Sequence, residues 1–184
     1  VENLKRITDA VNTLFNIDLD VIYSIETTPL IAANEPEKIK AVYDMGYKRI
    51  SMGVQTVSEK LLSELGRDGS KSIYERAVEN IRKAGFQRFN IDLMYGFLYQ
   101  TDVDFDNTLN YAIKLNPEYI TLYRNRYKGT KLESEAGGVS IYKAMHQYRI
   151  AYRILTDNGY MANVGKNTFS RIEGDYGTRD DLTM

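Results

Sequence analysis

The sequence predicts an α/β fold: a partial (β/α) barrel of the TIM type, with parallel strands inside and helices outside, truncated on its N-terminal side. Three observations predict it. Short segments rich in Val, Ile and Tyr alternate with amphipathic segments of helical period. Each strand-like segment carries one apolar face and one polar or small face. Four polar residues, Glu26, Gln55, Arg67 and Asp92, fall at or just past the ends of strand-like segments. Strand–helix alternation over this length gives parallel βαβ units with right-handed crossovers. In such folds the strand ends and the loops after them form the ligand-binding rim.

The elements follow in order along the chain. Leu4, Ile7, Val11 and Leu14 share one face of a helix over 2–15. A strand over 19–26 ends at Glu26-Thr27-Thr28-Pro29. Asn34 and Pro36 open a helix over 35–45, which Gly46 stops. A strand over 48–54 leads to a short helix over 58–65. Ser70 is placed to cap a helix over 71–84, and Gly85 suits its C-terminal turn. A strand over 87–95 ends at Gly96, and Thr101 caps a helix over 102–115 that closes at Asn116-Pro117. A fourth strand covers 118–123, and Lys128–Gly138 reads as a loop. A long helix over 140–158 stops at Gly159, with one further short strand expected near 160–164. Residues 1–169 are expected to form the C-terminal part of the barrel, and 170–184 a poorly ordered tail.

Strand parity is the stronger clue. Ile50, Met52 and Val54 oppose Ser51, Gly53 and Gln55; Phe89, Ile91 and Leu93 oppose Asn90, Asp92 and Met94. Val21, Tyr23 and Ile25 oppose Ser24 and Glu26, while Ile120 and Leu122 oppose Thr121 and Tyr123. A sheet covered on both faces would be apolar on both. A polar inner face fits a barrel or part-barrel with a solvated lumen. Four strands do not close such a barrel. The chain opens at Val1 inside a predicted helix with no initiator Met, which suggests a fragment, although a processed protein would look the same. As a fragment it is expected to be inactive alone and to associate through the strand edge at 19–26.

Composition narrows the function classes. With 184 residues, 43% hydrophobic and 27% charged, the chain has the size and balance of one globular domain. Net charge is −1 with both signs interspersed, so no nucleic-acid surface is indicated. No apolar run is long enough to span a membrane, and no signal segment opens the chain. The absence of Cys excludes disulfides and thiolate metal sites within the chain and is compatible with a cytoplasmic location.

Taken singly, the candidate residues have two readings each. Glu26 can accept from a ligand amine or hydroxyl, or pair with a neighbour such as Arg49. Gly53-Val54-Gln55 lets a ligand approach the backbone beside an amide, or is a packing glycine before a solvent-facing glutamine. Arg67, after Leu65-Gly66, can hold a carboxylate or phosphate, or cap its helix. Asp92, beside Asn90, can accept from ribose hydroxyls or bridge to Arg49. Gly96–Thr101 is a weak anion-binding signal because Phe97-Leu98-Tyr99 is bulky. His146, the single histidine, reads as a surface or packing residue before a haem ligand or catalytic group.

Together the strings Ser24-Ile25-Glu26-Thr27-Thr28-Pro29, Arg49-Ile50-Ser51-Met52-Gly53-Val54-Gln55-Thr56, Leu65-Gly66-Arg67, Asn90-Ile91-Asp92-Leu93-Met94-Tyr95-Gly96 and Gln100-Thr101 carry a resemblance. In order and spacing the chain resembles the radical SAM enzymes of the oxygen-independent coproporphyrinogen III oxidase type. The resemblance implies a part-barrel, a [4Fe–4S] cluster on a Cys-x3-Cys-x2-Cys loop outside this chain, and reductive cleavage of S-adenosylmethionine to a 5′-deoxyadenosyl radical. It implies that Glu26 contacts the methionine amino group, and that Gln55, Arg67 and Asp92 hold the methionine carboxylate and the ribose. It also implies a tetrapyrrole-like substrate, an electron donor for the cluster, and a role in porphyrin biosynthesis. The chain departs from the pattern at Thr28, at Asp68-Gly69 after Leu65-Gly66-Arg67, and at Gly96-Phe97-Leu98. These departures keep open a haem chaperone or haem-degrading relative, and a generic βα-barrel metabolic enzyme remains the third alternative.

Overall fold

In the computed structural model, residues 1–18, 20–67, 69–125, 140–163 and 165–175 are described. Four strands, β1 (Tyr23–Thr27), β2 (Tyr47–Gln55), β3 (Arg88–Tyr95) and β4 (Tyr119–Arg124), lie parallel and adjacent in chain order. Two short strands, β5 (Met161–Ala162) and β6 (Thr168–Ser170), complete one sheet of order β1-β2-β3-β4-β6-β5. The helices are α1 (Glu2–Leu14), α2 (Pro29–Asn34), α3 (Pro36–Asp44), α4 (Glu59–Glu64), α5 (Lys71–Ala84), α6 (Asp102–Lys114) and α7 (Ile141–Asp157).

Local chemistry explains most of the boundaries. The Ser70 hydroxyl accepts from the Ile73 N–H at the start of α5, and Gly85 ends it in the left-handed region at φ 112°. Thr101 and Asp104 form a reciprocal capping box at the start of α6. Before α3 the expected single helix is preceded by a separate one. Thr28 caps α2, with Pro29 at its first position, and Asn34 closes that helix. The Asn34 side chain accepts from Arg76 at 2.8 Å, so it is a tertiary contact and not a cap.

The apolar faces of the strands do what their parity predicts. Ile50, Met52, Val54, Phe89, Ile91, Leu93, Ile120 and Leu122 are buried in one core with Ala77 and Ile81 of α5, Leu109 of α6 and Leu155 of α7. Three expectations are corrected. The first strand is shorter than 19–26, because Val21 and Ile22 precede it and are exposed. The sheet is not wholly parallel, because β6 runs antiparallel to β4 and β5 antiparallel to β6. The expected tail begins too early: Ser170 is buried in β6, and Asp175 is bound by Arg88 at 3.1 Å and by the Tyr119 hydroxyl at 2.8 Å. Residues 176–184 and the predicted loop at Lys128–Gly138 lie outside the described residues. Among the described residues no helix is long and apolar enough to cross a membrane.

Candidate functional site

The polar faces of β1 to β4 and β6 line one open cavity of about 320 Å³. Its side chains follow from strand register. Glu26 lies opposite Ser51, Ser51 opposite Asn90, Gly53 opposite Asp92, Asp92 opposite Thr121, and Thr121 opposite Thr168. The inward-facing row is therefore continuous across the sheet, as side-chain alternation requires.

A hydrogen-bond network fixes the floor of that row. The Asn90 amide donates to Asp92 Oδ1 at 2.7 Å and to Ser51 Oγ at 2.7 Å, and Ser51 Oγ donates to Asp92 Oδ2 at 2.8 Å. Thr121 Oγ1 donates to Asn90 Oδ1 at 2.9 Å and lies 3.2 Å from Thr168 Oγ1. Asn90, Thr121 and Thr168 are buried, so each polar group needs these partners. Burial pushes the Asp92 carboxyl above its ordinary value; the bonds from Ser51 and Asn90 oppose this, and the nearby Glu26 charge adds to it. Each Asp92 oxygen accepts one bond within the protein and keeps a lone pair for a ligand. Glu26 is exposed at the lip of the cavity, and the Tyr123 phenol faces the same space. Burial, followed by the Asp92 and Glu26 charges, raises the Tyr123 hydroxyl.

Gln55 and Arg67 lie beside this cavity, gathered over Gly53. The β2–β3 register shifts between Gly53 and Gln55, and Gln55 adopts φ 68°, a left-handed conformation that turns the chain sharply at the strand end. Its amide folds back, so that a Cβ on Gly53 would lie 2.7 Å from Gln55 Nε2 and 3.6 Å from Arg67 Nη1. Arg67 Nη1 donates weakly to the Gly53 carbonyl at 3.4 Å. Gln55 Oε1 is buried with no hydrogen-bond partner among the described residues. The structure thus brings Glu26 and Asp92 to one cavity, and Gln55 and Arg67 to a second cluster. Gly53, the strand neighbour of Asp92, joins the two.

Two internal pairings considered for Arg49 are not formed. No ion pair of Arg49 with Glu26 or Asp92 is present; its guanidinium lies over the Tyr119 ring at 5.0 Å. His146 lies outside the cavity, on α7, with Nε2 3.0 Å from Asp102 Oδ2 at an exposed position. Sequence reasoning missed Thr168, because a three-residue strand has no periodicity to read. It also missed Gln147, fully buried on α7, whose Oε1 accepts from the Gly96 N–H at 3.0 Å, as does Gln100 Oε1. A glutamine on the apolar face of a predicted helix, with Ala144 and Ala151, was the available signal.

The family model described as Radical SAM superfamily matches residues 2–112. The chain belongs to the radical SAM superfamily. It is 30% identical over 165 residues to the Heme chaperone HemW of Haemophilus influenzae, covering 85% of this chain and 40% of that one. It is 30% identical over 123 residues to the HemW of Bacillus subtilis, covering 66% of this chain and 32% of the relative. It is likewise 30% identical over 123 residues to the oxygen-independent coproporphyrinogen III oxidase of Synechocystis, covering 67% of this chain and 25% of the relative. The chain therefore spans well under half the length of these relatives. The solved coproporphyrinogen III oxidase HemN of Escherichia coli superposes with a TM-score of 0.79 at 23% identity, over 94% of this chain and 40% of that one. That likeness identifies the fold as part of a radical SAM barrel.

The superfamily implies S-adenosylmethionine and an iron–sulfur cluster, and this chain fits the two differently. It contains no Cys, so its residues do not supply thiolates for a cluster. For S-adenosylmethionine the donor set is suitable. It offers two carboxylates on one cavity, a buried acceptor left open at Gln55 Oε1, a guanidinium at Arg67, and a glycine where those two side chains converge.

Proposed function

We propose that the polar lumen binds S-adenosylmethionine through Glu26, Gln55, Arg67 and Asp92. The observation that carries this reading is the placement of Glu26 and Asp92 on one cavity beside the Gly53 cradle that gathers Gln55 and Arg67. Glu26, exposed at the lip, accepts from the ammonium of the amino-acid end. Asp92 uses its remaining lone pairs for the two hydroxyls of the ribose. Arg67 and the Gln55 N–H2 donate to the amino-acid carboxylate beside Gly53, where the missing Cβ leaves room for the Gln55 amide to fold back toward Arg67. Bound S-adenosylmethionine supplies the radical chemistry of the superfamily; this chain binds and orients it and excludes water from it. Calorimetric titration tests the reading. Asp92→Ala and Glu26→Gln should each weaken binding about tenfold or more. Wild-type affinity in both variants would rule out the lumen as the site.

We infer that the protein handles a tetrapyrrole, as oxidase substrate or as haem cargo. The oxidase reading follows the strand-end motifs. The haem-chaperone reading is supported by the identity to HemW relatives, which extends over 85% of the chain for one of them. Adding haem to the protein separates the two. A Soret band that persists through gel filtration supports haem delivery, and binding of coproporphyrinogen III without haem retention supports the oxidase.

A further inference from the structure

At the lower end of the lumen, below Asp92, lies a group that the proposed S-adenosylmethionine contacts do not use. Arg49 and Arg88 are strand neighbours on β2 and β3, and Asp175 sits beside them. Asp175 is engaged by Arg88 Nε at 3.1 Å and by the Tyr119 hydroxyl at 2.8 Å. The Asp175 and Asp92 charges both favour the charged form of Arg49. Arg49 is half-buried, lines the cavity with Ser24 and Ser51, and makes no ion pair or side-chain hydrogen bond among the described residues. Its guanidinium carbon lies 5.0 Å from the centroid of the Tyr119 ring, a contact that gives its N–H donors no oxygen acceptor.

A half-buried guanidinium whose N–H groups have no hydrogen-bond partner among the described residues is costly, and its planar edge of paired N–H groups matches the two oxygens of a carboxylate. The carboxylates of Glu26 and Asp92 in the same cavity disfavour a dianion such as phosphate, which narrows the ligand to a monoanion. We propose that Arg49 anchors a carboxylate subsite at the floor of the lumen, which takes the carboxylate of a second organic ligand and is separate from the contacts at Glu26, Gln55, Arg67 and Asp92. The inference rests on reading the lumen as a ligand cavity.

The probe is sodium acetate, titrated into the protein carrying 15N-labelled arginine, against sodium chloride at matched ionic strength. The Arg49 Nε–Hε resonance is assigned by its loss in Arg49→Lys. Acetate should move it saturably with a midpoint on the order of 10 mM, and chloride should not. Acetate should also raise the melting temperature of the wild type, with no such rise in Arg49→Met and a response about three- to tenfold weaker in Arg49→Lys. An acetate response no larger than that of chloride, or one retained in Arg49→Met, overturns the proposal. Titrating S-adenosylmethionine into Arg49→Lys separates this inference from the reading it rests on. Binding within about twofold of wild type supports two separate sites, whereas loss of S-adenosylmethionine binding along with the acetate response overturns the separate subsite. Arg49 that responds to acetate in a protein with no affinity for S-adenosylmethionine supports the subsite and removes the proposed cofactor.

Discussion

Replacing Asp92 by Asn should stabilise the protein near neutral pH while weakening its proposed ligand site. Burial raises the folded-state pKa of Asp92 above its ordinary value of 3.8, despite the bonds from Ser51 and Asn90. A raised carboxyl contributes stability below its unfolded pKa and loses it as pH rises through the folded value. Above that window the ionised Asp92 is a liability, desolvated and close to the Glu26 charge. The amide removes the charge and keeps both local bonds. Its oxygen still accepts from Asn90, now 2.7 Å away, and its N–H2 donates to Ser51 Oγ once that hydroxyl turns from donor to acceptor. With both bonds kept, a gain of about 1 kcal/mol at pH 8 is expected, or about 2–4 °C for a domain of this size. The assay is thermal unfolding of both proteins followed by circular dichroism from about pH 4 to pH 8. The advantage of Asp92→Asn should grow across that range. A variant less stable than wild type at pH 8, or a difference that does not change with pH, would refute the account of Asp92 as a desolvated carboxylate.

Two further substitutions test the scaffold. Asn90→Leu removes the donor to Ser51 and Asp92 and the acceptor for Thr121 at a buried position. It should cost about 2–4 kcal/mol in denaturant unfolding, with an unchanged m value. Gly85→Val imposes a branched side chain at φ 112°, where a Cβ would lie 2.8 Å from the Tyr43 ring. It should lower the melting temperature by more than Gly46→Val, a glycine of similar φ with open space around it.

The fold was legible in the chain wherever periodicity was sustained. Ile50, Met52 and Val54 alternate with Ser51 and Gly53 over enough residues to show both the strand and the side that faces the core. Asn90 and Asp92 announced a polar interior by the same rule. The site was legible only to the extent that parity reached it. Glu26 and Asp92 project from regular strand and meet in the lumen as the alternation requires. Gln55 sits at a register shift with φ 68°, so counting alternate residues along β2 placed it in the row it leaves. Arg67 and Thr168 reach their positions through tertiary packing of a turn and a three-residue strand, and neither leaves a periodic trace; Gln147 left one, on the helix face it shares with Ala144 and Ala151. The tail was misjudged for the same reason. Its anchorage is a set of pairwise contacts from Asp175 to Arg88 and Tyr119, far apart in sequence.

The antiparallel placement of β6 restricts how the sheet can grow. Among the described residues, with β6 hydrogen-bonded along the outer side of β4, and β5 only two residues long beyond it, the five residues of β1 offer the longest open template for another strand. Any polypeptide that docks there builds a wall beside Glu26, at present the most water-exposed acid of the cavity rim. Docking would trade that solvent for protein and strengthen every charge interaction Glu26 makes. Affinity for a cationic ligand and occupancy of the sheet margin are therefore thermodynamically linked, each promoting the other.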